Sequence, residues 1–309
     1  MTRVLPIVDA SAPPERLAAF RVVVGIFTTG YLAIRLPVMF GLAGRDPSTF
    51  APVGVMQWLN VPPPDEVIVA VTVITVIAGC GVTVGWRHRV SGPLLALGML
   101  FLATLRSSWG QMLHFEHAIV LHTLIVGFAP AADAWSFDAR RRAMRSAGRM
   151  LRSPGPRYGW PLAIAGLITV MTYAIAGVAK VRYGGADWVS ADVLRHHIAY
   201  TATRAELLGG DPAPLARLAI RSGPMLGLVA LASVSLELGA PLALLGNRLR
   251  NVWVAATWMM HVGIVATMWV GFPVPLWGVA FAPLFALERI WWEKDRWLFR
   301  GERSPAEVG

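Results

Sequence analysis

The sequence has a single cysteine, Cys80, set inside an apolar run. No intrachain disulfide and no thiolate zinc site can form from it, and it says nothing of redox compartment. Charge is also scarce: 15% of the 309 residues are charged against 55% hydrophobic, too apolar a balance for a soluble domain of this size to hide in one core. Lipid therefore has to cover much of the surface. Lysine is nearly missing, with Lys180 and Lys294 the two among 28 basic residues. Arginine carries the rest beside many alanines and glycines, a usage that points to a GC-rich bacterial genome. There is no phosphate-cradling glycine loop, no Gly-x-Ser-x-Gly elbow, no zinc-protease motif, no internal repeat and no low-complexity tract. No cleavable signal is expected, because the first apolar run is followed by further spans; that run serves as signal and anchor together.

What the chain does have is apolar runs. A hydrocarbon core about 30 Å thick takes roughly 20 residues of helix to cross, and eight segments qualify: 17–36, 67–86, 90–112, 113–131, 160–181, 225–245, 252–270 and 273–290. The net charge of +10 would suit a nucleic-acid binder, but the basic residues sit in short loops between the runs, so no nucleic-acid partner is expected. With the N-terminus cytoplasmic, eighteen basic residues fall inside and eight outside, leaving Arg21 and Lys180 within spans, the asymmetry of the positive-inside rule. The expected fold is all-α: a polytopic integral membrane helix bundle of about eight transmembrane helices, both termini cytoplasmic, multi-pass in the bacterial plasma (inner) membrane. One transmembrane domain over 1–309 is expected, with a polar cytoplasmic tail at 293–309. The long outer connections, 37–66 and 182–224, would form lids or short interfacial helices. Gly81 and Gly85, and Ala176, Gly177 and Ala179, let helices approach closely.

Titratable groups inside spans are costly, roughly 2.5–3.5 kcal/mol on insertion scales, and four stand out. Lys180 closes the stretch Tyr173 to Lys180 near the outer end of the fifth span. In an arginine-using chain a lysine is a choice, since an ammonium sheds its proton when desolvated and a guanidinium does not; the plainer reading is that Lys180 snorkels to the interface. Glu237 and His261, each expected in mid-helix on consecutive spans, would meet, and would relay protons, orient a ligand or merely satisfy one another. Arg21 is expected to snorkel to the cytoplasmic headgroups. His114 and His117, three apart, share a helix face with Glu116 between them, while His122 lies deeper; the set is incomplete for a metal, and no metal site is expected. His196 and His197, adjacent in sequence, point to different faces.

These stretches resemble a known family. Tyr173 to Lys180, followed by Gly184, Gly185 and Trp188, is similar to the signature of the horizontally transferred transmembrane (HTTM) domain family, related to the membrane part of vitamin K-dependent gamma-carboxylase. His114 to Trp135 and Ser136 resembles the family's histidine-bearing helix with its Trp-Ser end. Leu236 to Leu245 resembles its acid-bearing helix, and His261 to Phe272 and Pro273 a His and Phe-Pro segment. The resemblance implies Lys180 as the base that deprotonates a reduced quinone such as vitamin K hydroquinone or menaquinol, with His261 and Glu237 as further catalytic residues. Substrate binding would fall to His114, His117, Tyr173 and Trp188. The chain ends soon after the eighth span, so the extramembrane part that recognises the carboxylase's protein substrate is expected to be lacking, and protein carboxylation is not implied. The expectation is a carboxylase- or epoxidase-like enzyme acting on a quinol or other lipid-like substrate in the bilayer. A non-catalytic module that binds a lipid or partner protein, or a small transporter, is the alternative.

Overall fold

The computed structural model describes residues 11–111, 116–145 and 153–290. Among them there is no β-strand, only an isolated bridge between Ala12 and Gly155. The chain divides into two compact units, 1–165 with 282–309, and 166–281. Among the described residues five helices are long and apolar enough to cross a membrane, and the large apolar side chains they leave exposed, Val69, Val73 and Ile77 for example, are what a lipid-facing surface requires. His114, Arg3, Arg149, Arg152 and the expected tail lie outside the described residues.

The first unit opens with α1 (Pro14–Ile34) and the short α2 (Leu36–Phe40), followed by two 3-10 turns in the first long connection. Next come α3 (Asp65–Val84) and α4 (His88–Ser107). Asp65 and Glu66 in the first turn of α3 suit the positive end of its dipole, and Gly85 at φ 67° ends it in the left-handed conformation. Helix α5 (His117–Phe128) runs for twelve residues, followed by α6 (Phe137–Arg145) and then α7 (Pro156–Gly184), whose residues to 165 belong to this unit. Small residues set the spacing. A Cβ on Gly92 would strike the carbonyl of Gly127, which brings α4 and α5 into backbone contact, and one on Gly25 would sit 2.9 Å from Thr83 Cα.

Arg21 corrects the snorkelling expectation. Its side chain is fully buried, and its guanidinium donates to the carbonyls of Ala131 (2.9 Å), Ala134 (3.2 Å) and Trp135 (2.6 Å), at the exit of α5. Carbonyls at the end of a helix have no partner within it, and a charged fork buried in the bundle supplies one. At the opposite end of α1, Tyr31 and Arg106 both donate to the buried Glu116, and Arg35 stacks over the Tyr31 ring at 4.1 Å. The carboxylate between the expected histidines thus serves the packing of α1, α4 and α5.

The second unit holds the rest of α7, then α8 (Ala191–Leu207), α9 (Ala216–Arg221), α10 (Gly223–Leu238), α11 (Asn247–Met268) and α12 (Pro273–Leu276). The second long connection is therefore largely helical. Ser190 caps α8, and Ile198, Ala213, Ala216 and Leu226 form a small core between α8, α9 and α10. Two expected spans are interrupted. The run 225–245 is α10 to Leu238 and then a 3-10 segment Ala240–Leu244, because Gly239 and Pro241 interrupt the α-helical ladder. The run 273–290 is α12 followed by turns, with Pro273, Pro275, Pro283 and Gly278 at φ 74° preventing a continuous helix.

Replacing Arg21 by methionine leaves three carbonyls unpaired in a dry site. It should lower stability by about 3 kcal/mol, read as a fall in the thermal unfolding midpoint in detergent. Arg217→Gln, which removes an exposed ion pair with Glu206, should change it far less.

Candidate functional site

Within the second unit, α7 presents Tyr173, Gly177 and Lys180 at helical spacing of four and three, so the three share one stripe. Gly177 is where α10 comes closest: a Cβ there would lie 2.9 Å from Leu238 N and 3.0 Å from Glu237 Cβ. That approach lets Lys180 Nζ donate to Glu237 Oε1 at 2.6 Å. Glu237 is buried and Lys180 retains 23% side-chain exposure, so the pair is shielded without being sealed. Glu237 lies one residue from the end of α10 rather than in mid-helix, for the same Gly-Pro reason that shortens the span.

Helix α11 supplies the facing stripe of Trp253, Thr257 and His261, again four apart, all three buried. Tyr173 bridges the two stripes. Its hydroxyl is 2.8 Å from His261 Nε2, and its ring meets those of Trp253 at 5.2 Å and Phe281 at 6.2 Å. Trp253 Nε1 donates to Leu236 O at 3.0 Å, tying α11 to the residue beside Glu237. Phe272 lies 5.2 Å from the His261 ring, so the His and Phe-Pro segment closes on itself. Glu237 and His261, expected to pair, instead each take a partner from α7: Lys180 and Tyr173.

Trp188 sits in a 3-10 turn (Gly185–Val189) just beyond α7 and folds back so that Lys180 Nζ stands 5.0 Å over its ring. Gly184 permits this, since a Cβ there would collide with the Trp188 ring. The Trp188 ring also stacks on that of His197, their centroids 5.7 Å apart. Adjacency to His196 in sequence gives no sign of this contact, and only the turn after α7 brings His197 to the site.

Three polar atoms of this group are buried with no hydrogen-bond partner: Glu237 Oε2, Thr257 Oγ1 and His261 Nδ1. Thr257 departs from the habit of this chain, in which Thr29, Thr72, Thr75, Thr83, Thr104, Thr172 and Thr267 each donate to the carbonyl four residues earlier. Buried polar atoms left unpaired are costly, and a molecule offering a hydroxyl or similar group would satisfy them. Sequence reasoning overlooked Trp253, Thr257 and Phe281; the spacing of four between Trp253, Thr257 and His261 was the available signal.

His117, the first residue of α5, is exposed in the first unit. His122 is fully buried there, edge-on to Phe20 at 5.4 Å and with Nε2 3.2 Å from Ala165 O, a packing role. Among the described residues no cluster of three histidines, cysteines or carboxylates is placed to hold a metal. The Trp-Ser pair is structural as well: Trp135 offers its carbonyl to Arg21, and the Ser136 hydroxyl accepts from Ala139 N at 2.9 Å as the cap of α6.

If Lys180 and Glu237 stabilise mainly one another, removing either alone should cost about 3 kcal/mol, and removing both much less. A double-mutant cycle of Lys180→Met and Glu237→Leu, followed by thermal unfolding, should show coupling of at least about 1 kcal/mol.

None of the curated proteins and none of the solved structures compared with the chain matches it. The family model of the HTTM domain matches residues 10–289, across both units and every stretch whose geometry is given above; the chain belongs to the HTTM family of membrane proteins.

Proposed function

We propose that the second unit receives the polar head of a quinol or another lipid-like substrate and that Lys180 and Glu237 together accept a proton from it. The observation that carries the reading is the 2.6 Å contact from Lys180 to a buried carboxylate whose second oxygen has no partner. An ammonium held by a carboxylate is not itself a base. The pair can act as one: the Lys180 ammonium passes a proton to Glu237, and the freed amine takes the proton of the substrate hydroxyl. The step ends with a protonated Glu237, a Lys180 ammonium and a substrate anion whose charge faces that ammonium. Within a water-poor site such an ion pair is stabilised far more than in bulk water. Tyr173 and His261 orient the substrate through their shared hydrogen bond, and Trp188 covers the Lys180 side of the site. His114 and His117 enter this reading through the family resemblance.

A second reading has its own support. Lys180 is satisfied on two sides, by Glu237 and by the Trp188 face, which is how a packing pin in a lipid- or partner-binding module would look. We also read the chain as a multi-pass protein of the bacterial plasma membrane. Its eight passes would comprise the five long apolar helices, α5, α10 with the segment after it, and 273–290, with both termini cytoplasmic. The support is the arginine bias together with the alternation of helices in the first unit.

Purified protein in lipid nanodiscs, given reduced vitamin K or menaquinol with oxygen, should form epoxide. Lys180→Met and Glu237→Gln should each cut the rate by about a hundredfold or more, while Tyr173→Phe should cost about tenfold. Product at the unmodified rate from Lys180→Met protein would remove the proton-acceptor assignment. A lipid that copurifies equally with both, without turnover, would favour the binding module.

A further inference from the structure

Helix α6 is not explained by the site in the second unit. Its sequence, Phe-Asp-Ala-Arg-Arg-Arg-Ala-Met-Arg, carries four arginines in nine residues and is the most strongly amphipathic helix described. Phe137 and Met144, two turns apart on one face, are 53% and 68% exposed. Arg140 and Arg141 lie within one turn of both, and with Arg145 they are exposed around that apolar pair. The opposite side, with Ala139, Arg142 and Ala143 and with Arg140 at the border between the two sides, walls a cavity of about 370 Å³ against Pro14 and Glu15 at the start of α1. Arg142 turns inward to Ala132 O (2.7 Å) and Asp133 (3.2 Å).

The level of α6 along the first unit is fixed by hydrogen bonds at its start. The Asp138 carboxylate accepts from Arg87 N (3.0 Å) and His88 N (2.8 Å), capping α4, and Asp138 N donates to Gly85 O. Helix α6 therefore lies at the end of the bundle where α3 and α5 finish and α1, α4 and α7 begin. That end carries three exposed tryptophans: Trp86 after α3, Trp135 after α5 and Trp160 in the first turns of α7. Tryptophans at the ends of apolar spans mark the headgroup level of a bilayer. A short helix at that level, with an exposed apolar pair rimmed by arginines, has the composition of an interfacial helix.

We propose that α6 is a membrane-surface anchor that binds the anionic phospholipid headgroups of the leaflet at this end of the first unit. Phe137 and Met144 would enter the acyl boundary, and Arg140, Arg141 and Arg145 would bind headgroup phosphates. The charge is complementary to an anionic leaflet, and each basic side chain near such a surface is worth about a factor of five in affinity. Reversible in its charge-dependent part, the contact would weaken at high salt.

The test uses the full chain in nanodiscs of phosphatidylcholine alone or with added phosphatidylglycerol, following amide hydrogen exchange across Phe137–Arg145. Phosphatidylglycerol should slow exchange of this segment by about tenfold, with no comparable change in α3 or α4. The variant Arg140→Gln, Arg141→Gln, Arg145→Gln should lose that lipid dependence. Phe137→Ser with Met144→Ser should speed exchange in both lipids. Equal exchange in the two nanodiscs, or a phosphatidylglycerol effect that survives the three glutamines, would overturn the proposal; unchanged exchange in α3 and α4 shows that the variants still fold.

Discussion

A buried ion or polar group inside an apolar helix bundle has no water to turn to, and four contacts among the described residues meet such groups from across a helix boundary. Lys180 donates to Glu237, and Tyr173 shares a hydrogen bond with His261. Arg21 closes three carbonyls, and Glu116 takes Tyr31 and Arg106. The alternative is a desolvated charge costing several kcal/mol, so these contacts decide which helices must be neighbours. Small residues make the contacts reachable. Gly177 brings α10 onto α7 at Glu237, and Gly92 and Gly127 bring α4 onto α5. Glycines and charges are thus two parts of one device, the first setting the helix separation and the second exploiting it.

The two ends of the first unit use arginine differently. At the end bearing Trp86, Trp135 and Trp160, one arginine is buried as a cap while Arg140, Arg141 and Arg145 of α6 are exposed around Phe137 and Met144. At the other end Arg106 neutralises Glu116 and Arg35 lies on Tyr31. Arginine suits both tasks because its planar fork bonds several carbonyls at once and stays charged at a headgroup. The lysine of the second unit is a different instrument, a single nitrogen that can hand over a proton, and it stands beside a carboxylate with an oxygen to spare.

The family resemblance and the geometry meet at particular residues. Tyr173, Lys180, Gly184 and Trp188 form one continuous feature, because Gly184 leaves room for the Trp188 ring over Lys180. His261 and Phe272 touch. The Trp135–Ser136 pair instead serves α1 and α6, as carbonyl acceptor and helix cap. Motifs of one family thus divide here into those that furnish a polar site and those that hold the bundle.

The amino-acid sequence by itself determined that the protein is helical and membrane-embedded, that most of its arginines lie between apolar runs, and that Lys180, Glu237 and His261 are costly groups, because hydropathy and residue chemistry act locally. It also determined the family, through stretches short enough to be read one at a time. Only the tertiary structure decided who pairs with whom. Arg21 turned inward because α5 ends beside it, Glu237 took Lys180 rather than His261 because Gly177 admits α10, and the last apolar run broke because its prolines and Gly278 outweigh its hydropathy. His197, Thr257 and α6 acquired roles only through neighbours far along the chain. A side chain's cost in hydrocarbon is a local property, whereas the group that offsets it is supplied by another helix, whose position no local pattern encodes.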